Sequence, residues 1–426
     1  MQPGDLLDLD ITAVAHGGVF VARHENRVVF VSDAIPGERV RVALTDTKKS
    51  SFWRGDTVEV LDASPHRRPH VWTPADVATA PEDRPGGADF GHIALGHQRE
   101  LKAEVLRDAL ARFAGSSAPV TIEPPTAQMK GDRVVEESPD GTGWRTRVSL
   151  HVDEDGRIGP FAARSHRVIP VEELPLATPG ITRAMARRQG GSPGRLDLVQ
   201  PADGRVRVIS RPESTRSRRP GPVDPAAREV VVETVGDREF QVDAGGFWQV
   251  HRLAAGTLHD AVADAVAGSV DPEGWHLDLY GGVGLLAASV ADAGGPGTRI
   301  TSVESDSRAT EHAGENLAAW IGARAETARV DRWLGHLVDT ATPAQRARLA
   351  RGTVVLDPPR AGAGKDVVER LVALSPERIV YVACDPVALA RDLGTFAEHG
   401  YTTPSVRAFD LFPHSHHVEA IVVLTR

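Results

Sequence analysis

A chain of 426 residues with 41% hydrophobic residues has material for about three domains with sizeable cores. Its 49 Lys and Arg against 58 Asp and Glu give a net charge of −9, which excludes nucleic-acid binding through bulk charge but not through a local basic surface. One cysteine excludes an intramolecular disulfide and any all-cysteine metal or iron–sulfur site, so no iron–sulfur cluster and a reducing compartment are expected. No apolar stretch approaches the roughly 18–20 residues of a membrane span, and Met1-Gln-Pro-Gly-Asp5 lacks a signal-peptide pattern. A cytoplasmic protein without a membrane partner is the expectation.

Residues 1–65 read as a small all-β unit. Leu6–Val14 alternates apolar and polar residues, His16-Gly-Gly18 is a turn signal, and Val19–Arg23 and Arg27–Ser32 are β-branched or aromatic runs. Ile35-Pro-Gly-Glu38 breaks the chain before the alternating Arg39–Leu44. Five short strands with tight turns predict a barrel, and barrels of this size often hold oligonucleotides. Gly17-Gly18, Val28-Val-Phe-Val31, Ile35-Pro-Gly-Glu-Arg-Val40 and Lys48-Lys49 together resemble the TRAM domain, an OB-like RNA-binding barrel. A barrel adaptor that makes no RNA contact is the competing reading.

Residues 66–228 read as a central α+β domain. Leu101, Val105, Leu106, Leu110 and Phe113 have helical spacing over Gln98–Phe113, and Gly143–Val152 and Arg205–Ser210 alternate like strands. Between Ile181 and Pro220 ten arginines face three acidic residues, a local +7 that points to a phosphate-facing patch. For Arg211–Arg219 a solvated loop fits equally well.

Residues 229–426 alternate strands and helices, the pattern of a doubly wound α/β Rossmann-like sheet. Strands are predicted at Val230–Glu233, Trp275–Leu279, Arg299–Val303, Thr353–Leu356, Ile379–Ala383 and Ala420–Leu424. Helices are predicted at Leu253–Val266, Leu285–Val290, Arg308–Trp320, Val367–Leu374 and Val387–His399.

The chemistry-bearing strings sit at the ends of these strands. In His276-Leu-Asp278-Leu-Tyr280-Gly-Gly282-Val-Gly284, a strand meets a glycine turn that lets a ligand approach the backbone, and Glu304 ends the next strand 20 residues beyond Gly284. The combination looks like an S-adenosylmethionine site; a nicotinamide site is the rival, although here Phe247-Trp-Gln249 and a helix come first. Asp357-Pro-Pro-Arg360 delivers an acid into a stiff loop. Enzymes that methylate adenine amino groups use such a loop too, but normally with an aromatic residue after the prolines. Cys384 ends an apolar run at Cys384-Asp-Pro386 and reads as a buried core thiol or as a nucleophile. His414, His416 and His417 invite a metal, yet no closed ligand geometry is apparent, and none is predicted. Glu419 reads as a solvated cap or a general base.

In order along the chain, the TRAM-like start, Gly143-Trp-Arg-Thr-Arg147, Phe247-Trp-Gln249, Asp278-Leu-Tyr280, Val303-Glu304, Asp357-Pro-Pro-Arg360, Cys384-Asp-Pro386 and His417-Val-Glu419 resemble the RNA 5-methyluridine methyltransferases. The resemblance implies a class I methyltransferase domain and S-adenosylmethionine binding by Gln249, Tyr280, Glu304 and Asp357 together with Gly282 and Gly284 of the turn. It also implies Cys384 as nucleophile, Glu419 as base, and an rRNA or tRNA uridine as substrate of a monomer. Uracil C5 is a weak nucleophile until a thiolate adds to C6, and a base must afterwards remove the C5 proton. A stacked uridine must be flipped out to react. Only the thiolate attacks, so a site that stabilises the anion is expected around Cys384. Departures from the family pattern are Pro85-Gly-Gly-Ala88 in place of Cys-Gly-Gly-Cys, Leu285 for Asn, Arg329 for an acid or Asn, with Asp331 as a substitute, and Ala-Cys-Asp-Pro for Ser-Cys-Asn-Pro. The alternatives are a non-catalytic RNA-binding scaffold with a cofactor pocket and an adenine amino-methyltransferase.

Overall fold

Alternation from Leu6 onward buries Leu7, Leu9, Ile11 and Val14 and turns the residues between them outward, which starts a sheet that closes on itself. In this computed structural model, which describes residues 1–131, 133–163, 165–188, 190–213 and 224–426, the strands are β1 (Leu6–Ala15), β2 (Val19–His24), β3 (Arg27–Ser32), β4 (Arg39–Asp46) and β5 (Phe52–Asp62). They form the expected five-stranded barrel in the order β1-β2-β3-β5-β4, and closure removes the exposed edges a small sheet would otherwise carry. Phe20, Val29 and Val31 fill it, with Phe90 and Ile93 from the following segment packed against them.

Helix α1 (Leu95–Ala114) ends on Gly115 in the left-handed conformation that favours glycine, φ 61°. It is followed by β6 (Ile122–Glu123) and the hairpin β7 (Gln128–Lys130) and β8 (Arg133–Val135). A four-stranded sheet, order β10-β9-β11-β12, comprises β9 (Arg147–Val152), β10 (Ile158–Gly159), β11 (Gly194–Val199) and β12 (Arg207–Pro212), with α2 (Pro179–Ala186) against β11. Part of the arginine surplus is consumed here. Arg195 and Arg211 share Asp197, and Arg207 pairs with Asp203 and Glu229. Arg216, Arg218 and Arg219 lie outside the described residues.

After the hairpin β13 (Val230–Val235) and β14 (Arg238–Asp243) come α3 (Ala254–Val266), β15 (His276–Leu279), α4 (Leu285–Gly294), β16 (Ile300–Glu304), α5 (Ser307–Asn316) and β17 (Ala323–Thr327). The chain continues through α6 (Val330–Thr340), α7 (Pro343–Ala350), β18 (Thr353–Leu356), α8 (Lys365–Leu374), β19 (Arg378–Ala383), α9 (Pro386–Glu398), β20 (Thr402–Phe409) and β21 (Glu419–Thr425). Their sheet has the order β17-β16-β15-β18-β19-β21-β20-β6, so β6, from residues 66–228, forms its edge beside β20. From β17 to β19 the strands are parallel; β21 runs antiparallel between β19 and β20. Val354 and Leu356 enter one core with α1, α6, α8 and α9, while Val355 enters the other with α3 and α4, which is why these strands are continuously apolar. β19 is thus a parallel strand on one side only.

Candidate active site

The register of the sheet brings the candidate residues to one edge. Leu279 is level with Leu356 and Leu356 with Tyr381, so the chain leaves β15, β18 and β19 side by side, delivering Tyr280, Asp357 and Cys384 to the carboxyl ends of the parallel strands. β21 enters from the opposite direction, and its last pair with β19, Ala420 with Ala383, brings Glu419 and Cys384, the residues just beyond it, to the same sheet edge, where the carboxyl acts on the thiol. An antiparallel strand thus starts where its parallel neighbours end.

Cys384 immediately precedes Asp385, the N-cap of α9, whose Oδ1 accepts hydrogen bonds from the Val387 and Ala388 amides at 3.0 and 2.8 Å. A thiol there feels the positive end of the helix. The surroundings nevertheless oppose ionisation: burial, then the carboxyls of Glu419 and Asp357, push the Cys384 thiol up to about 12, with Arg360 acting the other way. This differs from the anion-stabilising site expected from the sequence. Burial of the thiol is the larger reason, and the second is the carboxyl cluster at the strand ends. Asp278 is pushed up to about 7 by burial, Asp357 up to about 7 by burial and Asp278, and Glu419 well above the usual carboxyl range by burial and Asp357. One oxygen of Asp278 accepts the Ser302 hydroxyl at 3.0 Å; the other, Oδ1, is buried without a hydrogen-bond partner.

These groups line a cleft of about 1260 Å³ that also takes in Gln249, Tyr280, Gly282 and Glu304. Tyr280 adopts φ 64°, and both its amide and that of Gly281 donate to the Val303 carbonyl, a tight turn at the strand exit. A side chain at Gly281 would meet Ser302 Oγ at 2.0 Å and Asp278 Oδ2 at 2.5 Å, so this position has room only for glycine. Gly284, φ 90°, is the N-cap of α4 and, unlike Gly282, is not among the residues that line the cleft, which differs from its expected place at the cofactor; a side chain there would meet Leu317 at 3.1 Å. Glu304 accepts the Gly282 amide at 3.3 Å and the Asp306 amide at 2.8 Å, which fixes its carboxylate on the floor of the cleft. Leu285 lines the wall, and Arg329 and Asp331 form a two-pronged ion pair there, so Asp331 does reach the same cleft as the departures at Leu285 and Arg329.

The histidine string divides its work. His414 Nε2 bonds the Asp140 carbonyl at 2.7 Å, His416 pairs with Asp89, and His417 lies 3.3 Å from an Arg360 nitrogen. Among the described residues no group of three or more His, Cys, Asp or Glu side chains is disposed to hold a metal ion. Sequence reasoning missed three contributors. Arg145, largely buried, lines the cleft. Asp392 accepts from the Tyr381 hydroxyl at 2.6 Å and the Ala363 amide at 2.8 Å, tying down the loop after Asp357-Pro-Pro. His16, from the barrel, bonds Asp385 at 2.9 Å. No local pattern marks Asp392, and His16 is 369 residues from its partner.

Residues 345–426 match the family described as tRNA (Uracil-5-)-methyltransferase, and residues 2–60 match the TRAM domain. An uncharacterized RNA methyltransferase of Streptomyces avermitilis is 38% identical, covering 99% of this chain and 98% of its own. One from Bifidobacterium longum is 34% identical over 98% of this chain and 96% of its own. Among solved structures, the Pyrococcus abyssi tRNA (uracil-54, C5)-methyltransferase in complex with S-adenosyl-L-homocysteine shares the fold, with a TM-score of 0.70 at 20% identity, covering 98% of this chain and 99% of that one.

Proposed function

The chain belongs to the RNA (uracil-5-)-methyltransferase family, and on that premise we propose that it methylates C5 of a uridine in RNA from S-adenosylmethionine, with Cys384 as nucleophile and Glu419 as base. The observation that carries this reading is the terminal Ala383–Ala420 pair, just beyond which Cys384 and Glu419 meet in the lining of the glycine-floored cleft.

The cleft suits the methyl donor. Asp278 has a buried oxygen without a partner, the turn at Gly281 admits no side chain, and three carboxyls raised by burial favour a cationic ligand. Gln249, Tyr280, Gly282, Glu304 and Asp357 are the residues that would hold it, and Gly284 shapes the turn. Bound there, it supplies an electrophilic methyl group.

The chain's own residues supply the rest. The Cys384 thiolate forms a bond to uracil C6, and the ring electrons pass to the C4 carbonyl as an enolate. As the C4 carbonyl re-forms, C5 takes the methyl group, whose bond to the donor's sulfur breaks and leaves a neutral thioether. Glu419 removes the C5 proton, the C5–C6 double bond re-forms, and the C6–S bond breaks to return the thiolate. The helix N-terminus and Arg360 favour the sulfur anion, and the base has to be flipped out of its stack to reach it. Incubation with methyl-labelled S-adenosylmethionine and RNA containing 5-fluorouracil tests this, because fluorine at C5 blocks proton removal and leaves a stable protein–RNA adduct. The wild type is expected to form the adduct and Cys384→Ala to form none. Wild-type protein that binds the RNA without forming it would overturn the reading.

A further inference from the structure

Cys384 opens on two sides. One is the cleft described above; the other is a cavity of about 150 Å³ whose walls come from the barrel as well as the methyltransferase domain, among them His16, Lys102, Arg360 and His416. The barrel reaches it through the β1–β2 turn. His16 Nε2 lies 2.9 Å from Oδ2 of Asp385, while the other oxygen of the same carboxylate caps α9. Asp385 is therefore held by the helix through one oxygen and by the barrel through the other.

The asparagine that usually follows the nucleophile in the family would cap the helix equally well and bring no charge. Aspartate places a negative charge one residue from a thiol that must ionise, and an uncompensated charge there opposes the thiolate. We propose that His16 is a positioning residue: a barrel-borne imidazolium that neutralises Asp385 and holds the nucleophile loop, so that Cys384 ionises more readily with the barrel seated. Its bearing on methyl transfer rests on the reading of Cys384 given above. The Asp385 hydrogen bond holds the His16 imidazole above its ordinary value, and His16 helps hold Asp385 below its own. The other charged groups around the pair are spoken for or opposed: Arg391 on α9 disfavours imidazole protonation, Lys102 on α1 is paired with Asp410, His416 with Asp89, and Arg360 lies against His417. His16 is half-exposed, at 46%, so its replacement leaves the cores intact.

The test needs no substrate, because Cys384 is the single cysteine. Alkylation by iodoacetamide is followed by intact mass on the full chain from pH 6.5 to 8.5, with Cys384→Ala as the blank. His16→Ala is expected to slow the reaction at pH 7 by about tenfold, the effect of one unit in thiol pKa. His16→Gln, which keeps a hydrogen bond without the charge, falls between. The double variant His16→Ala, Asp385→Asn is expected to recover the wild-type rate, since the uncompensated charge is gone although the tether is too. In the wild type, log rate against pH bends below unit slope where His16 loses its proton; in His16→Ala it does not. A His16→Ala rate within twofold of wild type, or a double variant as slow as the single one, would overturn the proposal, the latter leaving His16 a mere tether. Recovery in the double variant together with no methylation of any RNA by the wild type would overturn the proposed function and leave this inference standing.

Discussion

At the scale of single residues, burial in the site disfavours the charged forms of a thiol and its neighbouring carboxyls. A carboxyl raised well above its usual range is a strong base once ionised, which suits Glu419 to taking a carbon-bound proton. Glu419→Gln keeps the shape of the side chain and removes the base, so methyl transfer proceeds but the adduct cannot resolve. The expected result on natural RNA is a covalent protein–RNA species carrying the labelled methyl group, stable to denaturing electrophoresis, with turnover down by about 10²–10⁴-fold. A Glu419→Gln enzyme that turns over at the wild-type rate and accumulates no adduct would remove Glu419 from the role. Cys384 sets the pH dependence. Its thiol is pushed up to about 12, so the thiolate fraction of the free enzyme climbs with every unit of pH. Single-turnover adduct formation with 5-fluorouracil RNA should therefore keep rising from pH 7 through pH 9, and a plateau below pH 8 would show that the free-enzyme environment does not govern the thiol.

At the scale of elements, the parallel strands were legible because burial on both faces makes them uninterrupted apolar runs, as in Val354–Leu356 and Ile379–Ala383. β17, Ala-Arg-Ala-Glu-Thr, was not: it is a partly exposed edge strand and carries no such run. β20 was missed as well, since it contains Pro404 and an irregular register between Thr402 and Ser405. The candidate residues were legible as motifs, but their convergence was not, because it depends on β21 threading backwards between β19 and β20. The loop after Asp357 shows the same limit. Its shape is held by Asp392 of α9, which accepts from Tyr381, Ala363 and, at 3.2 Å, Gly364. Asp392→Ala removes the acceptor of the buried Tyr381 hydroxyl and of the Gly364 amide, while the Ala363 amide keeps the Tyr381 oxygen at 3.0 Å; a donor left buried and unsatisfied costs about 1–3 kcal/mol. A lower melting temperature and weaker S-adenosylmethionine binding by calorimetry are expected together, since Asp357, Ala363 and Gly364 line the cleft. Unchanged affinity in a destabilised variant would confine Asp392 to the fold.

At the scale of the whole molecule, the acidic floor of the cleft ties stability to pH. Asp278, fully buried, and Asp357, half-buried, are pushed up to about 7, against about 3.9 in an unfolded chain. Between those values the folded protein binds protons that the unfolded chain has released, so stability rises as pH falls through this window. The destabilisation is complete above pH 7 and fades toward pH 4. It is not twice a single-site effect, because the Asp278 charge is part of what raises Asp357. Asp278→Asn removes one of the interacting charges and supplies an amide that needs no ionisation. The expected outcome is a higher melting temperature than wild type at pH 8, a smaller difference at pH 6, and loss of S-adenosylmethionine affinity at both. A cation bound at this floor favours the ionised carboxylates, so saturating S-adenosylmethionine should raise the wild-type melting temperature more at pH 8 than at pH 6. S-adenosylhomocysteine, which lacks the sulfonium charge, should show a weaker pH dependence. Equal shifts from the two ligands at both pH values would mean that the carboxyl cluster does not sense the ligand's charge.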